Sequence, residues 1–133
     1  MITAVDTSAL LSIFKAEDEA EKWLSILVSR AALGQLVICN VVAAELSSIA
    51  GDAAGLEIAL AKLQIKLLPS TWPTCHLAGH VFNNYRKRGG KREHLVPDFL
   101  IAAHATLQAD ALVTADRGYL RAFFPRLKLL GLA

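Results

Sequence analysis

The chain has 133 residues, enough for one domain with a buried core. Its 54% hydrophobic content and mean hydropathy of +0.42 are high, yet no apolar run approaches the roughly 18 residues of a membrane span. A net charge of +2 excludes a strongly polyanionic or polycationic protein, and two isolated cysteines exclude a disulfide framework or zinc cluster.

In chain order, residues 2–5 predict a strand closed by Asp6, and Ser8 to Phe14 a short helix. Glu17 to about Arg30 predicts a longer helix, with Ala20, Trp23, Leu24, Leu27 and Val28 at helical spacing. The acids of Glu17-Asp18-Glu19-Ala20-Glu21 suit a helix start and are expected to be solvated, outside any site. Leu36 to Cys39 is a second strand, and Asn40 is the expected N-cap of a helix carrying Glu45.

Gly51-Asp52 breaks that helix. Ala54 to Leu63 is helical again, and Ile65 to Leu68 is a strand stopped by Pro69. Pro73 opens a helix running to about Tyr85. A Gly89-Gly90 loop follows, then a helix from Pro97 to Leu107 and strands at 111–114 and 127–130. Short apolar runs alternate with helices, and the strands lack clear polar alternation. Together these predict an α/β domain over 1–133, with a mostly parallel sheet of about five strands buried on both faces.

Four carboxylates interrupt or end apolar runs: Asp6, Glu45, Asp98 and Asp116. An ionised carboxylate beside a core is costly without a cation or donors to compensate it. Glu45 is the hardest to explain as structure, because Val41-Val42-Ala43-Ala44-Glu45-Leu46 offers it little solvent. Asp6 has an alternative as a helix cap, Asp98 as an ordinary first-turn acid and Asp116 as a turn residue.

Ligands of parallel sheets bind beyond the carboxyl ends of the strands, where Asp6 and Asp116 fall. If the four acids converge, their mutual repulsion calls for a hard divalent ion. Oxygen-only ligation favours Mg²⁺, with Mn²⁺ as a substitute. Such an ion polarises a phosphodiester and activates a water. Thr7, Ser8 and Thr114 flank the acids and are placed to orient carboxylates or waters.

Five of the 14 basic residues crowd into 86–92: Arg86, Lys87, Arg88, Lys91 and Arg92. With Arg117 they are candidates for holding RNA phosphates, against the blander reading of a solvated loop. His76 and His80 lack the acid of a zinc-protease motif, and His104 is expected to be structural. Cys39 and Cys75 are expected in or near the core, and Trp23, Trp72 and Phe82 in the core or an interface.

Four segments together resemble the PIN-domain family, most closely its VapC-type toxins: Val5 to Leu10, the helix around Glu45, Pro97 to Ala105, and Thr114 to Tyr119. The match spans nearly the whole chain, through the Phe124-Pro125-Arg126-Leu127 segment. The resemblance implies a three-layer α/β/α fold and a Mg²⁺- or Mn²⁺-dependent endoribonuclease. Its metal ligands would be Asp6, Glu45, Asp98 and Asp116. It also implies an RNA substrate (tRNA, rRNA or mRNA), a homodimer and a small antitoxin. Some PIN domains carry a further Asp three residues beyond the Asp116 position; here that residue is Tyr119.

Three rivals stand beside this reading. The Asp-x-Asp pattern of phosphatases is absent because position 8 is Ser, and a receiver domain would need a second acid beside Asp6. A PIN fold retained only for RNA or protein binding would be expected to have lost acids. The first strand-like run begins at Met1 without a basic leader, which predicts a cytoplasmic protein with no membrane segment. The apolar surplus predicts a further buried surface, such as a dimer or partner interface.

Overall fold

A computed structural model describes residues 1–89, 96–116 and 118–132, with the side chains of Val96 and Tyr119 outside that description. Among the described residues five strands form one sheet: β1 (Ile2–Val5), β2 (Gln35–Ile38), β3 (Ile65–Leu67), β4 (Ala111–Val113) and β5 (Leu129–Leu130). The spatial order is β3-β2-β1-β4-β5, and every pairing is parallel. The expected mostly parallel sheet is therefore parallel throughout. Its last strand is only two residues long.

The helices are α1 (Thr7–Phe14), α2 (Ala20–Leu33), α3 (Asn40–Ala50), α4 (Ala53–Lys62), α5 (Trp72–Lys87), α6 (Val96–Gln108) and α7 (Tyr119–Phe123). They pack in pairs, α1 on α2, α3 on α4 and α5 on α6. Helices α2 and α4 reach β2 and β3, whereas α6 covers β1 and β4. Right-handed crossovers that run in opposite directions along a sheet cover opposite faces. The chain moves outward from β1 to β3 and then returns past β1 to β4, so α2 and α4 lie across the sheet from α6. The result is the expected α/β/α sandwich.

Burial on both faces explains the unalternating strands. Ala4, Val5, Leu36, Val37, Ile38, Leu112 and Val113 are all buried. Phe99 is completely enclosed on α6, with Phe82, Tyr85, Phe123 and Phe124 at ring-centroid distances of 5.3–6.0 Å. This aromatic knot ties α5, α6 and α7 together and fixes the turn of α6 that carries Asp98.

Several local expectations change. Asn40 does not cap α3: Cys39 holds the cap position, and the Asn40 amide oxygen accepts from the Ser70 N–H instead. Helix α2 begins at Ala20 rather than Glu17, because residues 15–19 form turns after α1. Cys39 is buried but Cys75 is exposed on α5. Trp23 is core, whereas Trp72 is 77% exposed. At Gly34 a side chain would collide with the Met1 carbonyl, so only glycine lets α2 turn into β2 beside β1.

Candidate active site

The strand order reverses at β1: β2 follows on one side, and β4, reached much later, lies on the other. In open parallel sheets such a reversal opens a crevice at the carboxyl ends of the two strands. Asp6 directly follows β1, and Asp116 lies three residues beyond β4. The ladder continues to the site itself, since the Asp6 N–H donates to the Val113 carbonyl at 2.8 Å.

Asp6 occupies the N-cap position of α1 with extended backbone, yet its carboxylate makes no capping bond. Two hydroxyls hold it instead. Thr114 Oγ1 donates to Asp6 Oδ2 at 2.7 Å and Ser8 Oγ to the same oxygen at 2.9 Å. Among the described residues Oδ1 receives no donor. The same hydroxyls brace the β4 side. Thr114 Oγ1 accepts from the Asp116 N–H at 3.0 Å, and Ser8 Oγ accepts from the Ala115 N–H at 3.0 Å.

Glu45 lies half-buried on α3, where Thr7 Oγ1 donates to its Oε1 at 2.6 Å. Thr7 and Thr114 are buried, so these bonds form away from bulk water. Neither Asp6 nor Glu45 pairs with a cation among the described residues; neutral hydroxyls orient both. Burial pushes the nearby Cys39 thiol up from its ordinary value, and the Asp6 charge adds to that effect. The thiol at this edge is therefore a neutral packing group.

Asp98 lies half-buried in the first turn of α6, where an acid also complements the helix dipole. Asp116 is half-buried, and its Oδ2 accepts from the Leu120 N–H at 3.0 Å, in the first turn of α7. Its alternative as a local turn-and-cap residue is thus present in the structure. Among the described residues, no three His, Cys, Asp or Glu side chains are gathered closely enough to hold a metal ion. The hydroxyl network joins Asp6 to Asp116 through Thr114, and adjacent residues Asp6 and Thr7 lead on to Glu45.

The donor set still fits a hard cation. All candidate ligands are oxygens, and Asp6 and Glu45 each keep one oxygen without a donor among the described residues. Of the basic candidates, Arg86 and Lys87 lie in the last turn of α5 and Arg88 just beyond it. Lys91, Arg92 and Arg117 lie outside the described residues. His104 is buried, with Nε2 2.8 Å from the Leu68 carbonyl, which matches its structural expectation.

One further acid lies beside the sequence-derived site. Glu19 lines the same cavity as Asp116, together with Trp23. It sits in a run of four acids in five residues, whose pattern is that of a solvated helix start. Only the tertiary approach of α2 to the segment after β4 distinguishes it.

The sequence of the PIN domain family matches residues 3–124. No curated protein sequence matches the chain. Among solved structures, the fold is similar to a chain of the VapBC2 complex of Rickettsia felis bound to a promoter DNA fragment. That match has 22% identity, covers 100% of both chains and gives a TM-score of 0.75. A chain of VapBC-1 from nontypeable Haemophilus influenzae is 22% identical over 98% of both chains, with a TM-score of 0.73. A chain of DNA-bound VapBC from Salmonella typhimurium is 14% identical over 98% of both, with a TM-score of 0.70. With the family match running from β1 through α7, the chain belongs to the PIN-domain family.

Proposed function

We propose that this protein is a metal-dependent endoribonuclease, the toxin of a type II toxin–antitoxin pair, which hydrolyses RNA phosphodiesters with Mg²⁺ or, in its place, Mn²⁺. The observation that carries this reading is the treatment of Asp6. An aspartate at a helix N-cap ordinarily spends its carboxylate on the backbone N–H groups of the first turn. Here that carboxylate is withheld from the helix and held by two hydroxyls, with one oxygen left over. A structural cap has no need of such an arrangement.

Asp6, Glu45, Asp98 and Asp116 would hold the cation. When bound, it supplies Lewis acidity for the scissile phosphate and a water of lowered pKa. The chain's own residues position the reactants. Thr114 and Ser8 fix the Asp6 rotamer, Thr7 fixes Glu45, and the basic end of α5 offers charge to the RNA backbone. Asp116 also ties the site to the start of α7, its Oδ2 accepting from the Leu120 N–H.

The partners follow from the same reading. Chains of this fold occur in VapBC complexes, which supports an antitoxin partner. A homodimer acting in the cytoplasm completes the proposal. Among the described residues no helix is long and apolar enough to cross a membrane. The rival reading, a PIN fold that only binds RNA or protein, is disfavoured because all four acids remain.

Asp6→Asn tests the assignment. It preserves shape and both hydroxyl contacts but removes the charge. Expressed without antitoxin, the wild type arrests growth and yields new RNA 5′ ends, whereas Asp6→Asn does neither while unfolding at a similar temperature. Undiminished arrest by a normally expressed Asp6→Asn protein would sink the reading.

A further inference from the structure

Trp72, His76, His80 and Asn84 recur every fourth residue along α5 and form one exposed stripe. The buried residues of this helix, Thr74, Ala78 and Tyr85, lie on the opposite face. That face is fixed on α6, through the Thr74 hydroxyl on Gln108 and the Tyr85 ring on Phe99. The helix start is also secured, since Thr71 Oγ1 accepts from the Thr74 N–H and Pro73 stands in the first turn. On so regular a helix a four-residue spacing places side chains one above the other, with Cβ atoms about 5–6 Å apart. His76 and His80 are such a pair.

The two imidazoles carry little other duty. His76 meets Trp72 in a near-perpendicular ring contact, with centroids 5.5 Å apart, which steadies the imidazole from the preceding turn. His80 Nε2 lies 3.4 Å from the Asn84 amide nitrogen. That distance is beyond the usual range of a hydrogen bond, so an ion displaces the contact at little cost. Gly79, between the two on the helix, is exposed, and a side chain there would meet nothing within 4 Å. The space outside the pair therefore has room for an ion and its waters.

We infer that His76 and His80 chelate one divalent transition-metal ion of the Zn²⁺, Ni²⁺ and Cu²⁺ class. Imidazole nitrogens suit these ions, whereas Mg²⁺ and Mn²⁺ suit the oxygens of the acidic site. A second imidazole one turn away binds an already captured ion intramolecularly, which gives the pair an affinity neither ring has alone. Histidines four apart on a helix hold zinc in this way in zinc proteases. Leu77-Ala78-Gly79 between them supplies no acid, so the site binds an ion without hydrolytic chemistry. Among the described residues no third His, Cys, Asp or Glu side chain joins them, and water completes the shell. The inference is independent of the ribonuclease reading, because it uses none of the four acids.

The test uses Cys75→Ser protein, so that the exposed thiol beside His76 does not compete for the ion. Zn²⁺ is titrated by calorimetry in excess Mg²⁺, and His76→Gln and His80→Gln are compared in the same background. Both positions are exposed and glutamine is a good helix former, so the variants are expected to unfold at the parent temperature in metal-free buffer. Each is expected to weaken one Zn²⁺ site about tenfold or more, because a single imidazole remains. The double variant is expected to be no weaker than either single one. Cu²⁺ gives a second reading: it is expected to quench Trp72 emission saturably, and both single variants to remove that quenching.

Zn²⁺ binding unchanged in both single variants belongs to the acidic site and overturns the inference. Loss in one variant but not the other reduces the pair to a lone ligand and overturns it equally. RNA cleavage in Mg²⁺ is expected to be the same in parent and variants. An inactive parent that still loses Zn²⁺ in both variants would defeat the nuclease reading and leave this site standing.

Discussion

Thr7 Oγ1 donates to Glu45 Oε1 at 2.6 Å and so fastens the first turn of α1 to the middle of α3. The bond spans 38 positions of sequence and joins residues that follow two different strands. A short bond from a buried hydroxyl to a carboxylate restricts that carboxylate to one rotamer. Thr7→Val keeps the shape and removes the donor. Affinity for Mn²⁺, measured by calorimetry, is expected to fall about 10- to 100-fold, as for other residues that orient a metal ligand. Global stability changes little, because half-exposed Glu45 regains water.

Thr114 carries more. Its hydroxyl donates to Asp6 and accepts from the Asp116 N–H, and the residue is fully buried. Thr114→Val leaves the Asp116 N–H without its acceptor and Asp6 with one donor fewer. Unfolding free energy is expected to drop by about 1–3 kcal/mol in urea titration, with RNA cleavage falling alongside. Thr114→Ser, which retains the hydroxyl, is expected to recover most of the activity.

His104 gives the fold a pH dependence. Burial lowers its pKa below the ordinary value of 6.5, opposed by its bond to the Leu68 carbonyl. The unfolded chain therefore binds a proton that the folded chain resists. Stability from this group is fully present above pH 6.5 and is lost as pH falls below it, with a slope of at most about 1.4 kcal/mol per pH unit. Denaturant midpoints measured downward from neutrality are expected to follow this slope. His104→Gln, which retains a donor for Leu68, should flatten it.

The basic segment is tested through salt. Replacing Lys91 and Arg92 by Ala is expected to weaken RNA binding while leaving metal affinity unchanged. If both contact phosphates, the slope of log K against log salt falls by about 1.4, at roughly 0.7 per contact on a single strand. Fluorescence anisotropy of a labelled RNA over a salt series reads this directly. An unchanged slope would assign phosphate binding to other residues, with Arg86, Lys87 and Arg88 at the end of α5 next in line.

The sheet was readable in advance because β1, β2 and β4 are buried on both faces, which leaves unbroken apolar runs in the sequence. Each run also ends at a residue of evident punctuation, as at Asp6 after β1. Helix α7 leaves no sequence signal, since five residues after Gly118 are too few to show a period. Asn40 reads locally as a cap because its pairing with Ser70, 30 positions away, leaves no trace in the neighbouring sequence.

The candidate acids stood out individually because they break apolar runs. Their relationships did not. That Thr114 holds Asp6 depends on β4 lying beside β1, a neighbour relation set by the long return crossover. Glu19 is hidden for the opposite reason: among neighbouring acids it breaks nothing, and only its place in the cavity beside Asp116 makes it distinct.

Asp6 and Thr114 are 108 positions apart, yet their contact and the adjoining ladder bond define the candidate catalytic edge. A chain synthesised from its N-terminus exposes Asp6 long before Thr114 exists. The late strand must then insert beside the first, a closure of high contact order that comes slowly in folding. A nascent or truncated chain that has not placed β4 presents the acids without the arrangement that aims them. On the toxin reading proposed above, harmfulness would be deferred to the last steps of folding, leaving an interval in which a restraining partner could arrive first.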